Sequence, residues 1–137
     1  MAPTLQSNKG AAGVMSAGFF FLFMAFNTAQ NLESTLVSDN RLVNVSLALL
    51  YAMFTLTAVV APRLVAALGA RLAMVVGGIP YVLLVFANIA VAQTSDSSIL
   101  YGLFVPAFMG VGIGAAMLWT AQGISLSRLA IHEARAT

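Results

Sequence analysis

Four long stretches without a charged residue are the feature that most constrains the fold of this chain. They are Gly10–Leu32, Leu42–Pro62, Leu72–Ser95 and Ser97–Ser127, and none contains Asp, Glu, Lys or Arg. A helix of ~20 mostly apolar residues crosses the ~30 Å hydrocarbon core of a bilayer. Only 7% of the 137 residues are charged, whereas a soluble domain has ~25%. The sequence therefore predicts an all-α integral membrane protein, a single domain of four transmembrane helices.

The segments between these stretches set the predicted boundaries. Pro62 predicts the end of the second helix or a turn just after it, with a short basic loop from Pro62 to Arg71. After the fourth span the chain has an amphipathic, basic character, which predicts a surface-lying extension. The predicted spans are about 11–29, 43–60, 72–92 and 99–121, followed by an amphipathic tail over 125–137.

Basic residues are distributed unevenly among the loops, and this predicts the orientation. Arg63, Arg71 and Arg128 fall on the same side as both termini, together with Lys9 and Arg135, whereas Arg41 falls on the other. Short loops rich in Lys and Arg stay on the cytoplasmic side. We therefore expect both termini on the cytoplasmic, stromal or matrix side. The membrane itself is left open, and an organelle inner membrane or a thylakoid membrane is compatible with the pattern.

Four of the amide side chains in the apolar segments are candidate contact residues. Asn27, Gln30 and Asn31 have i, i+3, i+4 spacing and so share one helix face, and Asn88 lies in the third span. An amide in a membrane usually hydrogen-bonds to another helix. The main interpretation is a polar interhelical contact, and the alternative is a face that contacts a ligand or lines a path.

Small residues and prolines predict how the helices pack. Gly110 with Gly114, and Gly112 with Ala116, form small-xxx-small pairs that allow close approach of two helices. Pro80 and Pro106 predict kinks in the third and fourth spans. Trp119 is expected near the inner membrane interface, where tryptophan acts as an anchor.

The sequence gives no support for catalysis. Cysteine is absent, and the single histidine, His132, lies near the C-terminus, whereas a metal site needs several convergent ligands. No acid lies within a span, so a carboxylate proton relay is not predicted. Scattered basic residues leave no footprint for nucleic acid. We predict no enzyme activity and no cofactor, and expect bound lipid and other membrane-protein subunits as partners.

Several segments together resemble the N-terminal part of an uncoordinated-93-like protein, a branch of the major facilitator superfamily. The strings are GFFFLFMAFNTAQNLESTL (18–36), LLYAMFTLTAVVAPRLVAALGAR (49–71), GGIPY (77–81) and GVGIGAAMLWTAQGISLSRLA (110–130). The resemblance covers the first four spans of what is normally a twelve-span fold. It implies a partner-binding role more than a substrate, because members of this branch are better known as regulators and channel-associated proteins.

Two functional hypotheses follow. The first is a non-catalytic accessory subunit, built on a transporter-derived fragment and packed in a larger membrane complex. The host could be respiratory or photosynthetic, and in the latter chlorophyll or carotenoid contact at Asn27, Gln30, Asn31 or His132 is possible. The alternative is part of a major-facilitator-type transporter or an ion-channel regulator whose remaining spans are missing or supplied by another chain.

Overall fold

Four α-helices make up the described part of the chain. A computed structural model describes residues 2–36, 40–93 and 96–136. The helices are α1 (Ala2–Leu36), α2 (Asn40–Leu68), α3 (Ala70–Val91) and α4 (Ser97–Ala136). Each contains a segment long and apolar enough to cross a membrane: Gly10–Asn31, Arg41–Leu68, Ala70–Ala90 and Tyr101–His132. Helices are expected because a backbone in lipid must satisfy its hydrogen bonds internally. The predicted fold class is confirmed.

The helices extend beyond the predicted spans. Each predicted span lies within one helix, except that Ala92 follows the end of α3. The predicted tail continues α4 without a break as far as Ala136, and its position on a membrane surface stays a prediction. Before α4, Asp96 caps the helix, because its Oδ1 accepts a hydrogen bond from the Ser98 backbone N–H at 2.9 Å. An Asp at this position satisfies one of the unpaired donors of a helix start.

The predicted loop from Pro62 to Arg71 is wrong. Helix α2 continues through Pro62 to Leu68, and Gly69 alone separates it from α3. The reason is packing, because Ala61 and Val65 on either side of the proline are fully buried, and neighbouring helices make an internal proline tolerable in membranes. Gly69 has φ 81° and ψ 146°, a backbone conformation essentially restricted to glycine.

Helix α4 is the centre of the bundle. It packs along α2 on one side and α3 on the other, whereas α1 makes far fewer contacts with the rest. The core contains Phe104, Phe108 and Val111 of α4 with Leu50 of α2 and Leu84 of α3. A second cluster lies near the α2–α3 turn and contains Val65, Ala73, Met117 and Ala121.

The glycines of α4 contact two helices from two faces. A Cβ built on Gly112 would collide with the Leu50 carbonyl oxygen of α2, whereas one built on Gly114 would lie 2.5 Å from the Gly77 oxygen of α3. The contact at Gly110 is looser, because a Cβ built there would lie 3.7 Å from the Pro80 Cβ. Ala116, one turn after Gly112, is 1% exposed. The predicted small residues therefore lie in the helix contacts, and their run holds α2 and α3 against α4 at the same time.

Gly77 completes this contact from the side of α3. A Cβ at Gly77 would lie 2.8 Å from the Gly114 carbonyl oxygen and 3.2 Å from the Leu118 nitrogen, whereas one at Gly78 would meet nothing within 4 Å. Gly77 is not among the predicted packing residues, which all lie on α4. The Gly77-Gly78 pair preceding Pro80 is the signal that could have found it.

The two adjacent glycines give a matched test of the contact. Gly77→Ala should lower stability by about 1–3 kcal/mol, because the added methyl meets backbone atoms that cannot rotate away. Gly78→Ala should leave stability unchanged or raise it by up to about 1 kcal/mol, because alanine favours a helix. Thermal unfolding of both variants in detergent micelles, followed by circular dichroism, measures the difference. Equal transition temperatures for the two variants would contradict a close α3–α4 contact.

Candidate functional site

Aromatic rings hold α1 against the three packed helices. The Phe19 and Phe23 rings lie 5.8 and 5.1 Å from the Trp119 ring of α4. The Phe26 ring meets Tyr81 of α3 edge to face at 5.4 Å, with an interplanar angle of 74°. Aromatic pairs at such distances contribute about 0.5–1.5 kcal/mol beyond the area they bury. Trp119 thus makes a helix–helix contact with α1, and its position relative to the membrane interface stays a prediction.

These rings border a small cavity, which we call the aromatic cleft. Its volume is about 170 Å³ and all four helices contribute to it. Its polar groups are the hydroxyls of Tyr51 and Tyr81 and the indole N–H of Trp119, and no Asp, Glu, His, Lys or Arg is among its lining residues. The lining residues are Phe23, Phe26, Leu50, Tyr51, Phe54, Tyr81, Val111, Ala115 and Trp119. This chemistry suits an apolar or aromatic guest.

A larger and more apolar depression, the α1–α3 groove, lies between these two helices. Its volume is about 570 Å³. Phe21, Met24, Ala25, Thr28 and Ala29 of α1 line it, opposite Val85, Asn88 and Ile89 of α3 and Ala92 just after the end of α3. The Thr28 hydroxyl donates to the Met24 carbonyl of its own helix at 2.8 Å. The groove therefore presents a mainly apolar wall, with Asn88 as its amide.

Three of the predicted amides lie on α1 and the fourth lies on α3. Asn27 donates from Nδ2 to the Phe23 carbonyl at 2.8 Å, which keeps this bond inside α1. Gln30 is half-buried and Asn31 is exposed on the same helix. Asn88 is half-buried and lines the α1–α3 groove. An interhelical or ligand-contacting role for these amides stays a prediction.

The two prolines expected to kink their helices lie at different places in the bundle. Pro80 faces Gly110 and Gly114 of α4, so it takes part in the close contact between α3 and α4. Pro106 lines a shallow groove of about 490 Å³ between α3 and α4, together with Gly102 and Ala107. Both helices continue through their prolines, and the kinks stay predictions.

The three arginines assigned to topology lie towards one end of the bundle. Arg63 is in the last turns of α2, Arg71 is in the first turn of α3, and Arg128 is near the end of α4. Arg71 and Arg128 line the same pocket beside the Gly69 turn. Clustering at one end is what a positive-inside orientation requires, although the side of the membrane stays a prediction.

The described residues contain few of the side chains that bind metal ions. Within them, no group of three or more His, Cys, Asp or Glu side chains is placed to hold a metal ion. His132 is exposed in the last turns of α4. Among the surfaces and cavities of the described bundle are the aromatic cleft, the α1–α3 groove and the pocket at the basic end.

The fold and these surfaces define a four-helix membrane unit whose central helix is packed through glycines and whose first helix is loosely attached. Comparison with known proteins gives the family. The profile of "Ion channel regulatory protein UNC-93" matches residues 43–136, and the chain belongs to the UNC-93 family.

Curated relatives support this membership over most of the chain. It is 33% identical over 121 residues to "UNC93-like protein 3" of Arabidopsis thaliana, covering 88% of this chain and 24% of that protein. It is 34% identical over 120 residues to "UNC93-like protein MFSD11" of Xenopus laevis, covering 83% and 25%. It is 28% identical over 122 residues to "Putative potassium channel regulatory protein unc-93" of Caenorhabditis elegans, covering 88% and 16%.

The chain thus spans about a quarter or less of the length of these relatives. No solved structure gave a significant match. The resemblance to uncoordinated-93-like proteins is confirmed by the family match and the curated relatives.

The single tryptophan of the chain reports on the attachment of α1. Phe23→Ala removes a ring 5.1 Å from Trp119, so it should open the cleft to lipid and lower stability by about 1 kcal/mol. Quenching of Trp119 fluorescence by brominated lipids in proteoliposomes should increase. Phe20→Ala is the control, because Phe20 is 61% exposed and its ring contact is with Phe21. If both variants quench alike, α1 is not held by these rings.

Proposed function

We propose that this chain acts as a non-catalytic, partner-binding membrane protein that regulates an ion channel or packs as an accessory part of a larger membrane complex. The observation that carries the proposal is the exposure of α1. None of the residues in its most apolar window is buried, and the α1–α3 groove lies open beside it. A transmembrane helix of another protein would cover both.

The chemistry of the groove supports a helix as its occupant. Ala25 and Ala29 are one turn apart on α1 and both line the groove. Small residues at this spacing let a second helix approach closely, and packing of this kind drives association in membranes. The neighbouring Phe21, Val85 and Ile89 give apolar area for van der Waals contact.

Family membership supports a regulatory role. The matching family is described as an ion channel regulatory protein, and the Caenorhabditis elegans relative is named a putative potassium channel regulatory protein. Regulation of this kind needs a stable lateral contact and no reacting groups. The apolar groove and the absence of a candidate metal cluster among the described residues agree with that requirement.

A second candidate function, transport, is favoured by the aromatic cleft. Transporters of this superfamily bind substrate between two halves of the protein, and the relatives are about four times as long as this chain. In this proposal the cleft is one wall of a path, and additional spans complete it. The Asn27, Gln30 and Asn31 face and the prolines would then contribute to the same path.

The orientation is part of the proposal. Arg63, Arg71 and Arg128 lie at the end of the bundle where α3 starts. Helix α1 runs parallel to α3, because Phe26 contacts Tyr81 and residues further along both helices line the α1–α3 groove. The positive-inside rule then places this end, with both ends of the described chain, on the cytoplasmic, stromal or matrix side.

Photocrosslinking from the groove tests the partner. A photoreactive amino acid at Val85, inside the groove, should crosslink to a transmembrane helix of another integral membrane protein in native membranes. The same amino acid at Val59, which is 79% exposed on α2, should capture only lipid. Ala29→Trp should abolish the Val85 product, because the indole fills the groove.

The identity of the product separates the candidates. A channel protein supports regulation, and a subunit of a respiratory or photosynthetic assembly supports the accessory role, where chlorophyll or carotenoid contact would then be expected. Crosslinks to additional spans of the same polypeptide favour transport. Identical lipid products at Val85 and Val59 contradict docking at the groove.

A further inference from the structure

The basic end of the bundle contains a pocket that the proposed function does not use. Its volume is about 610 Å³, and it lies where α2 turns into α3 beside the last part of α4. Arg71 enters from the start of α3, and Arg128 and Ser125 from α4. No acidic residue is among those that line it. Two arginines on separate helices therefore line one pocket.

We propose that this pocket binds the phosphate headgroup of an anionic glycerophospholipid. Arginine presents a planar fork of donors that matches phosphate oxygens and forms short, charge-assisted hydrogen bonds. Two such forks converging from α3 and α4 bind one phosphate and tie the two helices together. The site is distinct from the α1–α3 groove, which lies further along α3.

The rest of the lining suits a lipid rather than a free phosphate. Leu68, Leu72 and Val75 border the pocket and are 41%, 50% and 61% exposed. These side chains offer an apolar path along α3 for acyl chains, directly next to the charged groups. A soluble phosphate ion would leave this path uncovered.

The position of the pocket in the fold places it at the depth of the lipid headgroups. It borders the Gly69 turn, where the apolar segments Arg41–Leu68 and Ala70–Ala90 meet. The end of an apolar segment lies at the level of the headgroups. The first turn of α3 carries no acidic residue, so no carboxylate there offsets the charge of Arg71.

The test compares lipids and matched arginine variants. Native mass spectrometry of the purified protein measures retention of phosphatidylglycerol against phosphatidylcholine. Arg71→Gln and Arg128→Gln should each weaken phosphatidylglycerol retention about fivefold, the effect of one basic residue near an anionic membrane. Arg63→Gln is the control: it removes the same charge near the same end, but Arg63 does not line the pocket.

Thermal unfolding gives a second readout and separates lipid from free anion. Phosphatidylglycerol should raise the midpoint of the wild type and of Arg63→Gln but not of the pocket variants, because a ligand stabilises only the state that binds it. Inorganic phosphate at the same concentration should have no effect. Equal loss in all three arginine variants, or equal stabilisation by inorganic phosphate, would overturn the proposal.

Discussion

Backbone contact between α4 and its two neighbours determines where the other helices lie. The Leu50 carbonyl of α2 packs closely against Gly112, and Gly77 of α3 packs closely against Gly114. The two contacts are about half a turn apart on α4. In a bilayer the hydrophobic effect does not drive helices together, because lipid tails are as apolar as leucine. Van der Waals contact must supply the attraction, and it falls off sharply with distance. Side chains at these positions would separate the helices, and the core residues around Phe104 and Phe108 would lose their neighbours.

The same need for close backbone contact explains why α1 is the most loosely attached helix. It has no glycine in close contact with the other helices, since a Cβ at Gly10, Gly13 or Gly18 would meet nothing within 4 Å. Its attachment depends on rings that reach across a wider gap, and small cavities remain on either side of them. A helix held by a few side-chain contacts opens at lower free energy than one packed along its backbone. This makes α1 the element of the bundle best suited to exchange one neighbour for another.

The sequence predicts the fold class because absence of charge over some twenty residues has one structural solution in a bilayer. It also places the small residues of α4 in helix contacts, since their spacing follows the helical repeat. It fails at Pro62, because local preference ends a helix there whereas burial of Ala61 and Val65 continues it. The pairing of Gly77 with Gly114, and of the α1 rings with Trp119, was not predicted for a different reason. Pairing between distant segments depends on the rotation of each helix, which one sequence does not specify. The same holds for Asn27: its sequence position does not reveal its hydrogen-bond partner, which is the Phe23 carbonyl of its own helix.

The single-residue turn at Gly69 has a consequence for biosynthesis. Helices α2 and α3 are joined without slack, yet they make few contacts with each other, because both pack mainly on α4. Closing so short a connection costs little chain entropy. The pair is therefore suited to enter the bilayer together as one unit as it leaves the ribosome. Helix α4 then packs against both, at the Leu50 carbonyl and at Gly77, and fixes their positions. The order of synthesis would thus match the order of assembly, with the central helix of the bundle the last of the three to arrive.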